Sequence, residues 1–348
     1  MPRPLAAVAA SALLVCASGA LAQNALRFAA FGDYGQTSNS QTVATRVLAM
    51  NPDLICTTGD NTYNTSTSIT NYDGAVGQYY RAYILLPANS AHLPFGSAVN
   101  KFWPVLGNHD WDAGAASAYI GYFIGLPTTP ANRRYYTFTQ GPIQFFMLDS
   151  DTREPDGVSV GSAQYNWFVA QIGQSTARWK IVMFHHPFQT STTSSHGPST
   201  YMNWGFENFG VNMVLQGHNH TMERLLYNGV HWFVTGAGGQ SHYTFTSISP
   251  NSQFRNSSVY GFSMVTATNL ELKHEFISAA GAVLDTVTIP TRCPGNVDGN
   301  ATVDFSDLNQ VLTQFGSSGA WLTGDINGDG VVTFADLNDV LTDFGRGC

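Results

Sequence analysis

Five short segments of this chain gather side chains that could hold metal ions. They are Gly32-Asp33-Tyr34-Gly35, Gly59-Asp60-Asn61-Thr62-Tyr63, Gly107-Asn108-His109-Asp110, His185-His186-Pro187 and Gly217-His218-Asn219-His220. Their oxygen and nitrogen donors suit a pair of hard or borderline divalent or trivalent ions. Cleaving a phosphate ester calls for such a pair, because the ester's own oxygens repel a nucleophile. Two ions about 3.5–4 Å apart can hold those oxygens, generate a hydroxide near neutral pH and stabilise the leaving oxygen. The chemistry needs a carboxylate able to bridge both ions, further ligands on each side, and one or two proton donors kept off the metals.

Each segment follows an apolar, β-branched or aromatic run: Leu26 to Phe31, Leu54 to Thr58, Phe102 to Leu106, Lys180 to Phe184 and Val211 to Leu215. The polar residues therefore fall where strands end, and open α/β sheets build their active sites outside the carboxyl ends of strands. Helical patterns over Thr42 to Met50 and Ala163 to Ile172 separate the strands up to about Gly217. Beyond it the chain reads as extended through Val230 to Thr235, Gly261 to Thr268, Leu270 to Ile277 and Ala282 to Ile289. Alternation followed by a run of strands predicts a layered α/β sandwich rather than a plain doubly wound sheet.

The 348 residues leave room for one large domain and one small one. Met1 to Ala22 has Arg3, an apolar stretch from Leu5 to Val15 and a small-x-small site, Ala20-Leu21-Ala22, before Gln23. This reads as a signal peptide over 1–22, removed on export. Val15 before Cys16 does not suit a lipid anchor, and no other segment is long and apolar enough to span a bilayer. The expected location is secreted, whether extracellular, cell-surface or periplasmic. Cys56 reads as a buried core thiol, while Cys293 and Cys348 bracket the last segment in a way that permits a disulfide. Net charge is uneven: from Cys293 onward eight Asp face one Arg, against 15 acidic and 14 basic residues before it. No Lys/Arg cluster points to nucleic acid as a partner.

After a joint at Thr291 to Pro294, two related stretches recur 29 residues apart. The second offers Asp325, Asn327, Asp329, Thr333 and Asp336 at positions 1, 3, 5, 9 and 12 of a calcium loop, with Gly330 at the sharp turn. The first offers Asn296, Asp298, Asn300, Asp304 and Asp307, but has Ala301 at the turn and a neutral first ligand, so the weaker site is expected there. The pair resembles a type I dockerin module over residues 293–348. That resemblance implies an all-α, calcium-dependent domain of two loop-helix units that docks onto a cohesin-like partner.

The large region, residues 23–290, resembles the calcineurin-like metallophosphoesterases. Within them, Gly59-Asp60-Asn61-Thr62-Tyr63 points to the purple acid phosphatase branch, where a Tyr follows the bridging Asp by three. Phe146-Met147-Leu148-Asp149, Ser195-His196-Gly197-Pro198 and Thr235-Gly236-Ala237-Gly238 look most like the tartrate-resistant type. The resemblance implies a four-layer αββα sandwich and a dinuclear centre of Fe with Fe, Zn or Mn. By the same likeness Asp33, Tyr63 and His220 hold the first ion, Asn108, His185 and His218 the second, and Asp60 bridges them. His185 rather than His186 takes the ligand role, since His-x-Pro is the family spacing; His186 either faces the pocket or packs. His109 and His196 would contact the phosphate and donate protons to the leaving alkoxide, as imidazoles can near neutral pH. Asp110 would orient His109. His92, His231, His242 and His274 match no motif and receive no role.

The expectation is an exported acid phosphatase acting on phosphomonoesters through a metal-bridging hydroxide. A phosphodiesterase or nucleotide hydrolase with the same core stays open, because substrate choice lies in loops such as Thr65 to Ser97 and Asp112 to Pro130. So does a catalytically quiet docking or surface-display protein.

Overall fold

The computed structural model describes residues 25–192, 196–300 and 302–348. The signal peptide expected over 1–22 lies outside them, as do Gln23, Asn24, Ser195 and the turn residue Ala301.

Strands β1 (Leu26–Phe31), β2 (Leu54–Thr57) and β3 (Phe102–Pro104) are parallel neighbours. On the far side of β1 the first sheet continues antiparallel through β11 (Gly261–Ala267), β12 (Glu271–Ser278) and β13 (Val283–Pro290). Its order is β13-β12-β11-β1-β2-β3. The second sheet is built from β4 (Tyr136–Gln140), β5 (Ile143–Met147), β6 (Trp179–Met183), β7 (Met213–Gln216), β8 (Met222–Tyr227), β9 (Val230–Thr235) and β10 (Ser252–Asn256). Its order is β10-β8-β9-β7-β6-β5-β4, with β5, β6, β7 and β9 mutually parallel. Both β2 and β7 are buried along their whole length, as parallel strands covered on both faces must be.

The sheets face each other through aromatic rings. Phe28 of β1 meets Phe145 of β5 edge-on at 5.1 Å, and Trp103 of β3 stacks on Phe138 of β4 at 3.8 Å. His274, for which the sequence offered no role, lies flat on Phe233 at 3.7 Å and is part of this core. The outer layers are helical. Ser38–Ala49 buries Ser40, Val43, Ala44 and Val47. It begins four residues before the expected Thr42, because Thr37 and Ser40 form a reciprocal cap. Ala163–Ile172 stands where expected, capped by Ser162, with Phe168 against Phe146 of the second sheet. Two sheets between helical layers form the α/β sandwich that the strand and helix pattern implied.

The tail has its own small core of Val297, Val303, Val311, Ile326, Val332, Leu337 and Val340. Its helices are Phe305–Thr313 and Phe334–Asp343, capped by Asp304 and Thr333. The loops before them share one scheme. Asp307 Oδ1 accepts from the backbone N–H of Val297 and Asp298 at 2.6 and 3.0 Å; Asp336 Oδ1 accepts from Ile326 and Asn327 at 2.8 and 3.2 Å. Cys293 and Cys348 form a disulfide, whereas Cys56 is free and buried. Arg178 donates to the Pro294 carbonyl at 2.8 Å and Asn269 to that of Asp325 at 2.5 Å, seating the tail on the sandwich.

Candidate metal centre

Asp33, Asp60, Asn108, His185 and His218 follow β1, β2, β3, β6 and β7 within two to four residues. The strand ends bring all five segments together, but only through unusual backbone. Asp33, Asp60 and His218 adopt φ of 56°, 53° and 65°, a left-handed region that costs energy for residues with a Cβ. Glycines make the close approaches. A Cβ on Gly59 would stand 2.6 Å from His185 Nδ1, and one on Gly107 would run into the Asp60 carboxylate and backbone nitrogen. With Gly107 bare, the third loop closes on the second, and His109 donates its N–H to Asp60 Oδ1 at 2.9 Å.

Hydrogen-bond counting exposes what the pocket lacks. His185 Nδ1 lies 2.7 Å from the Thr58 carbonyl, which can only accept, so Nδ1 carries the proton. Nε2 of the neutral ring then presents a lone pair to Asn108 Oδ1 at 3.1 Å and Asp60 Oδ1 at 3.4 Å, with His218 Nδ1 3.2 Å away. His220 repeats the pattern. Its Nδ1 donates to the Ser241 carbonyl at 2.8 Å, leaving Nε2 to face Tyr63 Oη at 3.3 Å and Asp33 Oδ1 at 3.5 Å. Asp33 Oδ1 is buried and receives no hydrogen bond, although Oδ2 accepts from the His218 N–H at 2.9 Å. Lone pairs and carboxylate oxygens so disposed repel one another unless positive charge stands between them.

Proton affinities express the same demand. Burial works against charge on His185, yet Asp60 and Asp33 draw its pKa up to about 10. Burial raises the Asp33 carboxyl despite the opposing pull of His185 and His220. At Asp60 burial is outweighed by His185 and His109, and its pKa falls below the usual carboxylate range. His218 is pushed down to about 2 by burial and by the charge of His185. Donor atoms of Asp33, Asp60 and His185 lie within 4.8 Å of one another, as do those of His185, His186 and His218. The donor set fits two cations: Asp33, Tyr63 and His220 on one side, Asn108, His185 and His218 on the other, Asp60 between.

The two histidines expected to meet substrate lie at the edge of this cluster. His109 packs its ring 4.4 Å from that of Tyr63, with Nε2 4.0 Å from Asp60 Oδ2. His196 stands 5.2 Å from the His218 ring.

Asp110 does not orient His109. It is buried and accepts from the Gly107 N–H, from the Asn61 side chain and from Tyr72 Oη at 2.8, 2.9 and 2.8 Å, tying two ligand loops together. The acid beside His109 is Asp112, whose Oδ2 is 3.4 Å from Nδ1. Residues 108–112 form a helical turn, where positions i and i+3 share a face and neighbours do not. Arg153 holds Asp112 in turn, at 2.7 Å. Tyr243 was also missed. Its ring stacks on His220 at 4.1 Å and its hydroxyl lies 3.2 Å from His196 Nε2. A lone Tyr in a long loop carries no sequence signal of that kind, whereas the i+3 spacing of His109 and Asp112 could have been read.

The model for the calcineurin-like phosphoesterase family matches residues 26–222. The chain belongs to this family. A second family model, for the iron/zinc purple acid phosphatase-like protein C, matches residues 231–286. Tartrate-resistant acid phosphatase type 5 of Homo sapiens is 26% identical over 315 residues, covering 77% of this chain and 92% of the human protein. Purple acid phosphatase 15 of Arabidopsis thaliana is 25% identical over 245 residues, but the match spans 61% of this chain and only 45% of the plant protein. Among solved structures, the purple acid phosphatase PPD1 from yellow lupin superposes with a TM-score of 0.60 at 18% identity, covering 77% of this chain and 54% of that one. GAP50, the anchor in the inner membrane complex of Plasmodium, does so with 0.59 at 19%, covering 77% and 89%. These two superpositions speak to the fold alone. The family member described here is purple-acid-phosphatase-like, a metal-dependent phosphoesterase. Its family implies a dinuclear centre of Fe, Zn or Mn, which the unpaired Asp33 oxygen and the facing lone pairs would accommodate. No helix among the described residues is long and apolar enough to cross a membrane.

Proposed function

We propose that this phosphoesterase is an exported acid phosphatase that hydrolyses phosphomonoesters. The observation that carries the reading is the convergence of two donor sets on Asp60, each with one imidazole, His220 or His185, held by a backbone carbonyl in the ligating tautomer. Asp33, Tyr63 and His220 hold the first ion; Asn108, His185 and His218 hold the second; Asp60 is shared. A phenolate with carboxylates favours ferric iron in the first position, and imidazoles suit a divalent ion in the second. Bound there, the ions supply Lewis acidity and an activated water. The chain's own residues do the rest. His109, at the rim and braced by Asp112, and His196, braced by Tyr243, contact the phosphoryl group and deliver the proton that the leaving alkoxide needs. A retired, purely docking protein would have no reason to keep every donor, which supports the enzymatic reading over a display role.

The leader at 1–22 supports export. The tail, 293–348, is assigned as a dockerin-like module holding calcium through Asn296, Asp298, Asn300, Asp304 and Asp307, and through Asp325, Asn327, Asp329, Thr333 and Asp336. Its matching loop scheme supports this, as do two exposed aromatic pairs, Phe305 with Phe344 and Phe315 with Phe334, at 5.0 and 4.8 Å. A cohesin-like protein is the proposed partner.

The test is to purify the protein, measure its metals and visible spectrum, and assay a phosphomonoester and a phosphodiester side by side. Preference for the monoester at mildly acid pH, two ions per chain and a visible absorption band are expected. A colourless zinc or manganese enzyme would overturn the iron assignment, and a diester preference the substrate assignment.

A further inference from the structure

We propose that His186 is a third imidazole of the substrate site, donating its Nε2–H to an oxygen of the phosphoryl group. The inference rests on the phosphoesterase reading and deepens it. Sequence reasoning left His186 between facing the pocket and packing, because His185 takes the ligand position. The structure turns it inward: its ring stands 4.6 Å from that of His218 and 5.0 Å from that of His185. One of its nitrogens falls within 4.8 Å of the donor atoms of both.

Proximity alone would make His186 a candidate ligand. Ser150 decides otherwise. Its hydroxyl has two lone pairs and one proton. Both lone pairs are taken, by the backbone N–H of His185 at 3.2 Å and of His186 at 2.9 Å. The third contact, 2.9 Å to His186 Nδ1, must therefore use the hydroxyl proton, with Nδ1 accepting. In the neutral ring the remaining proton then lies on Nε2. A protonated nitrogen has no lone pair for an ion, and this one finds no hydrogen-bond partner among the described residues. Ser150 is itself anchored, since its carbonyl accepts from Tyr201 Oη at 3.0 Å. The result is a pre-set donor on a ring packed beside His218, at the cleft where the donor sets meet. The natural acceptor is the phosphoryl group, the anion this centre exists to bind, and a hydrogen bond to a charged acceptor is among the strong ones.

The experiment compares wild-type holoenzyme with His186→Phe, His186→Gln and Ser150→Ala. Metal content, the dissociation constant for inorganic phosphate by calorimetry, KM and kcat are measured for each. Both ions are expected to remain in every variant. His186→Phe, which keeps a ring but no donor, should weaken phosphate about 10- to 100-fold and raise KM to match. His186→Gln should recover most of that loss. Ser150→Ala, which frees the other tautomer, should move the same constants in the same direction by a smaller factor. Loss of one ion on removing His186 would overturn the proposal in favour of a ligand. Unchanged phosphate affinity, or equal impairment by Phe and Gln, would reduce the residue to packing. Should the Phe variant not fold, His186→Leu removes the donor in its place and is judged by the same comparison with Gln. A wild-type holoenzyme that binds phosphate but hydrolyses no ester would sink the phosphoesterase reading alone.

Discussion

Removing the two ions should destabilise the protein, and more so as pH rises. Asp33 and Asp60 are both buried, and without the ions their chief compensation is one proton on His185. One carboxylate is left without a full partner, a state that costs about 3–5 kcal/mol. Each kcal/mol moves Tm by about 2–4 °C in a domain of this size, so the stripped protein should melt about 6–20 °C lower at neutral pH. The pH dependence has a definite sign. His185 titrates at 6.5 when unfolded and at about 10 in the folded, ion-free protein, because Asp60 and Asp33 overcome its burial. A raised folded pKa contributes stability fully below the unfolded value and loses it as pH climbs through the folded one. The gap between loaded and stripped protein should therefore widen from about pH 6.5 to 10, by about 5 kcal/mol at most. The assay is calorimetry at pH 6, 7.5 and 9 on protein reduced with dithionite, chelated and desalted, with metal re-addition as control. A stripped protein that melts with the loaded one, or a gap that narrows towards pH 9, would refute the account of the pocket.

Four other outcomes follow from named contacts. Tyr63→Phe should abolish the visible band, since the phenolate that would donate charge to ferric iron is gone; an unchanged spectrum would remove Tyr63 from the first site. Gly107→Ala should lower metal content at least several-fold, because the new Cβ collides with Asp60, and elemental analysis reads it directly. Glu223→Leu strands donors from Thr190, Ser191 and Ser252 that now converge on the buried carboxylate. It should cost about 3 kcal/mol and lower Tm by about 6–12 °C, with both ions retained. Chelating calcium with EGTA should open the tail to limited proteolysis while leaving the hydrolysis rate unchanged; an identical digest pattern would argue against calcium in the loops.

The strands of the site were legible because the candidate ligands follow predominantly apolar, β-branched or aromatic runs, as parallel strands covered on both faces require. Leu54 to Thr58 and Lys180 to Phe184 thus marked β2 and β6 to within a residue. The start of the first helix was not, because Ser38, Asn39 and Ser40 read as loop until the Ser40 hydroxyl is seen closing a cap with Thr37. Within the site, residues that belong to the ligand segments could be named, since each segment is local. Tyr243 and Ser150 could not. Tyr243 reaches His196 across 47 residues and Ser150 reaches His186 across 36, and nothing in either neighbourhood points towards its partner. Sequence spacing encodes contacts along a helix or strand, whereas pairings between loops are fixed only by the sheets beneath them.

The choice of nitrogen on each histidine follows from that same scaffolding. His185 and His220 turn Nε2 inward because the Thr58 and Ser241 carbonyls claim Nδ1. His218 instead brings Nδ1 to within 3.0 Å of Asn108 Oδ1, from a backbone at φ 65° whose N–H is bound to Asp33. His186 is the exception that fits the rule: a hydroxyl rather than a carbonyl meets its Nδ1, and because a hydroxyl with both lone pairs occupied must donate, the ring's proton is displaced to the other side. Where a carbonyl meets Nδ1, the neutral ring keeps a lone pair on Nε2; where a saturated hydroxyl meets it, Nε2 carries the proton. Replacing Ser150 with a residue that cannot donate would erase the distinction, which is why that variant, more than any change to the imidazole itself, tests whether second-layer hydrogen bonds divide the histidines of this centre into those that hold ions and those that hold substrate.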